Sequence, residues 1–198
     1  MASAESPLDG RIAVIGFRPH TYWTAAVALA GDPNDPQVIV RRRIDFASGD
    51  ERGVYHQAEG MAPEDAEAML ARVWAAVEGH ATHGLREMLA DLGANGFSFA
   101  SAVVPIGRKP APERLEDILR SHSFMHAAEG DFYRAIVAQA CANLGLAVLR
   151  VVEGDLAGVV TARLGEPVEA RLRLMGAALG PPWSEDQKLA TLAAWSAL

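Results

Sequence analysis

Three apolar segments crowd into residues 11–46, and they constrain the fold more than any other feature. Ile12, Ala13, Val14 and Ile15 form a short run that ends in Gly16-Phe17-Arg18-Pro19-His20. A second run covers residues 22–30 and a third covers 37–46. Gly31-Asp32-Pro33-Asn34-Asp35-Pro36, between the second and third runs, is a dense turn signal. This pattern predicts three antiparallel strands. The first (11–16) is apolar on both faces, as a buried central strand must be, with Gly16 and Pro19 expected to stop it. The third alternates, Val38, Val40 and Arg42 on one face against Ile39, Arg41 and Arg43 on the other. Its charged outer half suits a sheet edge. Arg41-Arg42-Arg43 reads either as a solvated edge or as a phosphate contact.

Helical and strand patterns alternate afterwards. Pro63 opens a helix with Glu64, Asp65 and Glu67 in its first turn, where acids suit the positive end of the helix dipole. Ala66, Met69, Leu70, Val73, Trp74 and Val77 form its apolar stripe. It extends toward Leu92, with a break expected near Gly79 or Gly84, where His80 and His83 read as surface residues. Residues 97–106 form a fourth strand, reached through a long helix and so parallel to the first. A short helix (113–120) and a longer one (131–144, stopped by Gly145) precede a fifth strand at 146–152. That strand is continuously apolar, hence parallel and expected to be central. Two short helices lie around Gly165-Glu166-Pro167. Ser184 then caps a last helix, with Gln187 three residues on completing a capping box.

Bulk properties narrow the class. A chain of 198 residues fits one domain at 11–198 behind a small, acidic tail at 1–10, which is expected to be flexible. A net charge of −7 argues against a general electrostatic grip on nucleic acid and leaves room for a local basic patch. The one cysteine, Cys141, excludes an internal disulfide and a thiolate metal cage. The first ten residues lack a signal-peptide pattern, and no apolar run approaches about 18 residues, so the expectation is a cytoplasmic protein without a membrane partner.

Residues 122–131, His-Ser-Phe-Met-His-Ala-Ala-Glu-Gly-Asp, are the richest in functional groups. On a helix, His122, His126 and Glu129 share one face, a pattern that holds a metal or presents a general acid–base pair. Asp131 and Arg134 lie close by. The same residues also fit a structural role, with Ser121 or Asp131 capping a helix and half-exposed histidines. Glu153-Gly154-Asp155 follows the fifth strand, where α/β sheets place ligands; helix capping by Asp155 is the preferred reading of this stretch. Arg18 and His20, with Arg134, suit a phosphate, a carboxylate or a partner surface. No Gly-x-Gly-x-x-Gly, Walker A lysine or Gly-x-Ser-x-Gly elbow is present.

The order of three antiparallel strands, helix, strand, helix, strand and helices resembles the ribonuclease H-like superfamily, and within it the Holliday-junction resolvases of the RuvC kind. In those resolvases the first strand ends in Gly-apolar-Asp-Pro-Gly, matched here by Gly16, Phe17, Arg18, Pro19 and His20. Their last helix opens with an acid, matched by Glu185-Asp186-Gln187-Lys188-Leu189-Ala190. The resemblance implies an α/β, ribonuclease H-like fold: a five-stranded mixed sheet with strands one to three antiparallel, strands four and five parallel to strand one, and helices on both faces. It also implies a two-metal nuclease, which needs clustered carboxylates to hold two divalent metals about 4 Å apart. Arg18 falls on the first acid, Val104 or Pro105 on the strand-four acid, and Asp186 alone retains a carboxylate. The expectation is therefore a catalytically silent binding or scaffolding module for a nucleic-acid or protein partner, a homodimer among the forms considered. No cofactor is expected, no metal at Arg18, and Arg18 should pair with Asp186. The rival expectation is a Mg²⁺- or Mn²⁺-dependent nuclease or phosphohydrolase with its site moved to His122, His126, Glu129, Asp131 and Asp186.

Overall fold

The structure is a computed structural model, and it describes residues 11–46 and 53–198. The proposed tail at 1–10 lies outside the described residues. Strands β1 (Arg11–His20), β2 (Trp23–Asp32) and β3 (Asp35–Asp45) wind antiparallel. Helices α1 (Val54–Ala58) and α2 (Pro63–Ala94) lead to β4 (Phe97–Val103). Helices α3 (Leu115–Leu119) and α4 (His122–Asn143) lead to β5 (Ala147–Leu149), and α5 (Leu156–Leu164), α6 (Val168–Leu179) and α7 (Glu185–Trp195) complete the chain. The sheet order is β3-β2-β1-β4-β5, with β4 parallel to β1 and β5 parallel to β4. The mixed five-stranded sheet with β1 at its centre is as the sequence predicts.

Alternation along β1 divides the core in two. Ile15 and Phe17 face one side and pack with Leu85 and Met88 of α2 and with Phe132, Ile136 and Cys141 of α4. Val14 faces the other side, with Leu156, Val168, Ala190, Ala194 and Trp195 of the last three helices. Gly16 makes the second layer tight: a Cβ there would lie 2.0 Å from the Ala190 carbonyl oxygen and 2.2 Å from the Ala194 amide nitrogen. The absent side chain lets α7 lie directly on the central strand. The opening of α7 matches the sequence, since Ser184 and Gln187 form a reciprocal capping box.

Several local expectations are corrected. β1 does not stop at Gly16 but runs to His20, and Pro19 pairs with Thr24. Pairing with β4 ends at Gly16↔Val103, and among the described residues no strand pairs with β1 beyond it on that side, where a missing N–H costs no ladder bond. β5 is parallel, as expected, but lies at the edge and is only three residues long; Val148 within it and Val151 just beyond it pack against opposite core layers. α2 is continuous through Gly79 and Gly84, and Gly84 sits against the side chain of Ile44, where a Cβ would come within 2.5 Å. Residues 122–143 form one helix, so Asp131 is mid-helix and caps nothing. In β3 a bulge opposite Ala28/Leu29 breaks the alternation and puts Val38 and Val40 on different core layers. β3 does hold an edge, and its three arginines are engaged within the fold. Arg41 donates to the carbonyls of Leu179, Gly180 and Pro182, Arg42 pairs with Asp91, and Arg43 lies over the Trp23 ring.

Candidate functional site

The predicted site residues gather at the His20 end of β1, beside the first turns of α4. Arg18 does not pair with Asp186. Its Nη1 lies 2.9 Å from Oε2 of Glu153, in the turn after β5, and Arg134 Nη2 on α4 lies 3.6 Å from the same oxygen. Two guanidiniums therefore flank one carboxylate. Arg134 also reaches Asp131 at 3.5 Å, and Asp131 accepts the Ala111 amide at 3.1 Å. Gly130 leaves room for this arrangement, since a Cβ there would lie 2.7 Å from Arg134 Nη1. The contacts are Coulombic more than well-aligned hydrogen bonds. The Nε atoms of Arg18 and Arg134 and Glu153 Oε2 are buried without a hydrogen-bond partner among the described residues.

Asp186, at the start of α7, pairs with His20 at 2.7 Å. His20 is stacked on Trp23, with ring centroids 4.2 Å apart and planes within 7°. The hairpin between β1 and β2 thus docks on the N-terminal turn of α7 through an imidazole, where an acid also suits the helix dipole.

The third group joins α1 to α4. His56 Nδ1 lies 2.7 Å from Oε1 of Glu129, which is buried at 7% exposure, and the His56 backbone amide points to the same oxygen at 3.4 Å. His56 Nε2 lies 3.3 Å from His122 Nδ1, and His122 Nε2 lies 2.9 Å from His126 Nε2. The i, i+4 spacing of His122 and His126 does place both on one face of α4, as the sequence suggests. The sequence did not mark His56 as a site residue: Tyr55-His56, inside a polar connection with no periodic signal, read only as an extension of the sheet or a lid, and the pair lies instead in helix α1. Glu153 was visible only as part of a strand-end acidic stretch, Glu153-Gly154-Asp155, whose leading reading was helix capping by Asp155. Asp155, its neighbour, pairs with Arg108 and makes no side-chain cap bond.

A cavity of about 200 Å³ connects these groups; Arg18, His20, His126, Glu129, Tyr133 and Arg134 are among its walls. Burial pushes the Tyr133 phenol well above its usual range, and the nearby Tyr22 phenol and Glu129 carboxylate add to the effect. No well-formed hydrogen bond reaches the Tyr133 hydroxyl among the described residues. Burial also raises Tyr55, with Asp131 and Glu129 contributing. Both phenols therefore stay protonated and serve as donors or packing groups, not as bases.

The five-residue constellation His122, His126, Glu129, Asp131 and Asp186 is thus divided. The first three converge with His56, Asp131 turns to Ala111 and Arg134, and Asp186 turns to His20. Among the described residues, His56, His122 and His126 are the group whose ligand atoms all lie within 4.8 Å of one another, with no comparable cluster of carboxylates.

No protein-family model and no curated protein matches the sequence. Solved structures do. RuvC of Thermus thermophilus in complex with a Holliday junction substrate superposes with a TM-score of 0.54 at 10% identity, over 93% of this chain and 91% of that one. A second Thermus thermophilus RuvC structure superposes with a TM-score of 0.51 at 11% identity, over 93% of this chain and 92% of that one. With its sheet order and the placement of α7 on β1, the chain has the ribonuclease H-like fold in its RuvC-like form.

Proposed function

We propose that the chain is a ribonuclease H-like module that has lost two-metal cleavage and binds a nucleic-acid partner. The observation that carries the first half is the Arg18–Glu153–Arg134 group. A two-metal site needs several carboxylates facing a shared pair of cations. At the His20 end of β1, two guanidiniums take up the available acid instead, and positive charge there repels a divalent ion. Asp186, the acid that the resemblance would retain, is held by His20.

The second half rests on the likeness of the whole fold to a RuvC solved in complex with a Holliday junction substrate, which is a fold-level analogy. The cavity between β1 and α4 adds local support, because Arg18, His20 and Arg134 line it. Glu153 and Asp131 already offset the two arginines. Any phosphate contact there should therefore be modest and strongly weakened by salt.

The test measures binding of labelled four-way junction, duplex and single-stranded DNA by fluorescence anisotropy between low and physiological salt, alongside cleavage assays with Mg²⁺ and Mn²⁺. The expected result is salt-dependent binding, weakened by Arg134→Ala, with no cleavage of any substrate. Metal-dependent cleavage that disappears in Asp186→Asn would overturn the silent-module reading. Absence of binding at low salt would replace nucleic acid with a protein partner, including a second copy of the chain.

A further inference from the structure

We propose that His56, His122 and His126 form a binding site for a late first-row divalent metal of the Zn²⁺ class, with Glu129 as the positioning residue behind it. Its ligands are distinct from the Arg18–Glu153–Arg134 group, although His126 and Glu129 wall the same cavity, and the proposal stands whether or not the module cleaves nucleic acid.

Three features of the geometry lead to it. First, ligand nitrogens are already gathered. One nitrogen from each ring lies within 4.8 Å of the other two. The close approaches, 3.3 Å from His56 Nε2 to His122 Nδ1 and 2.9 Å from His122 Nε2 to His126 Nε2, use opposite nitrogens of His122, so that ring turns to offer one of them to an ion. Zinc–imidazole bonds of ~2.0–2.1 Å place ligand nitrogens about 3.3 Å apart. His122 and His126 are exposed, so their rings turn freely onto an ion.

Second, the ring that comes from outside α4 is fixed. Glu129 Oε1 sits 2.7 Å from His56 Nδ1, so the proton resides on Nδ1 and the Nε2 lone pair faces the other two histidines. A carboxylate behind a ligating imidazole is the usual means of setting its tautomer and raising its basicity. Third, the carboxylate has space made for it. A Cβ on Gly53 would lie 1.8 Å from Glu129 Oε1, so only a glycine before α1 lets this buried acid reach His56.

Ligand chemistry selects the ion. Three neutral imidazoles suit Zn²⁺, Co²⁺, Ni²⁺ or Cu²⁺, whereas Mg²⁺ and Mn²⁺ favour oxygen donors. Three protein ligands leave a fourth position for water or an anionic oxygen. His126 and Glu129 also wall the cavity that holds Arg18 and Arg134, so an anion bound to the metal would lie beside cationic side chains.

The experiment uses the untagged full chain, titrated separately with Zn²⁺, Co²⁺ and Mg²⁺. Zn²⁺ should bind with one-to-one stoichiometry and raise Tm by about 5–10 °C at free metal a hundredfold above Kd. Co²⁺ should give the intense visible absorption of a tetrahedral centre, and X-ray absorption of the Zn²⁺ form should show imidazole scattering from three histidines. His126→Ala should abolish saturable binding, and Glu129→Gln should weaken it by about 10–100-fold. His80→Ala, at an exposed histidine elsewhere on α2, should leave binding unchanged. Failure of Zn²⁺ and Co²⁺ to bind, preference for Mg²⁺, absence of imidazole scattering, or binding that survives both His56→Ala and His126→Ala would overturn the proposal. The spectroscopic tests need no variant, so a variant that fails to fold leaves the answer intact. DNA binding is measured independently, so its failure is not confused with failure here.

Discussion

At the scale of single residues, the chemistry at the His20 end of β1 is decided by which charge each side chain finds. Arg18 and Glu153 are about one-fifth and one-quarter exposed, so their attraction is only partly screened. Arg18→Ala should cost about 1–2 kcal/mol in urea unfolding, less than the ~3–5 kcal/mol of a fully buried pair, because Arg134 still neutralises Glu153. Arg18→Asp should cost more than Arg18→Ala, since it faces Glu153 with a like charge. Equal costs for the two variants would mean that the charge of Arg18 does not matter. Cys141 behaves differently. It is fully buried, and burial pushes its thiol up to about 12 from an ordinary 9.0, with Arg150 opposing weakly. The folded state therefore keeps a proton that the unfolded thiol releases. That contribution is complete below pH 9.0 and fades as pH rises toward about 12. Native protein should not react with a thiol reagent at pH 8, whereas urea-unfolded protein should react fully.

At the scale of elements, the decisive contact is α7 on β1. Gly16 is at the crossing, and the atoms nearest its missing Cβ are backbone atoms of Ala190 and Ala194, which cannot swing aside. Gly16→Ala should therefore displace the helix and cost about 3 kcal/mol or more, seen as a lowered urea midpoint. Ser184→Ala removes one half of the capping box and should cost about 1 kcal/mol. A loss at Gly16 no larger than the loss at Ser184 would contradict the close approach of helix and strand. The capping box was legible in the sequence because it is a local pattern three residues long. The extension of β1 through Pro19 was not, because it depends on where β4 stops pairing, and β4 lies some eighty residues away. The single helix 122–143 has a similar cause. Gly130 interrupts the pattern in sequence but serves in the fold as space for Arg134.

At the scale of the molecule, one sheet separates two apolar layers, and each strand of the centre contributes to both. Neither layer can persist without β1, so the two should unfold together. Tryptophans report on each side: Trp74 packs edge-on to Phe132 in one layer, and Trp195 is fully buried in the other, donating to the Pro33 carbonyl at 2.7 Å. Variants that retain only Trp74 or only Trp195 should give coincident urea transitions by fluorescence. Separate transitions would mean that the two layers are independent units. No helix among the described residues is long and apolar enough to cross a membrane.

The sequence by itself determined the broad order of strands and helices, the central place of the first strand and the Ser184 capping box. Those follow from apolar periodicity and turn chemistry, which act over a few residues. It also marked Arg18, His20, His122, His126, Glu129, Arg134 and Asp186 as chemically notable. Only the tertiary structure decided how they pair. Glu153 came to Arg18, Asp186 to His20, and His56 to Glu129 and the α4 histidines, over separations of 66 to 166 residues for the histidine contacts. Charges and lone pairs interact through space, and strand registers and helix crossings far from the motif set that geometry.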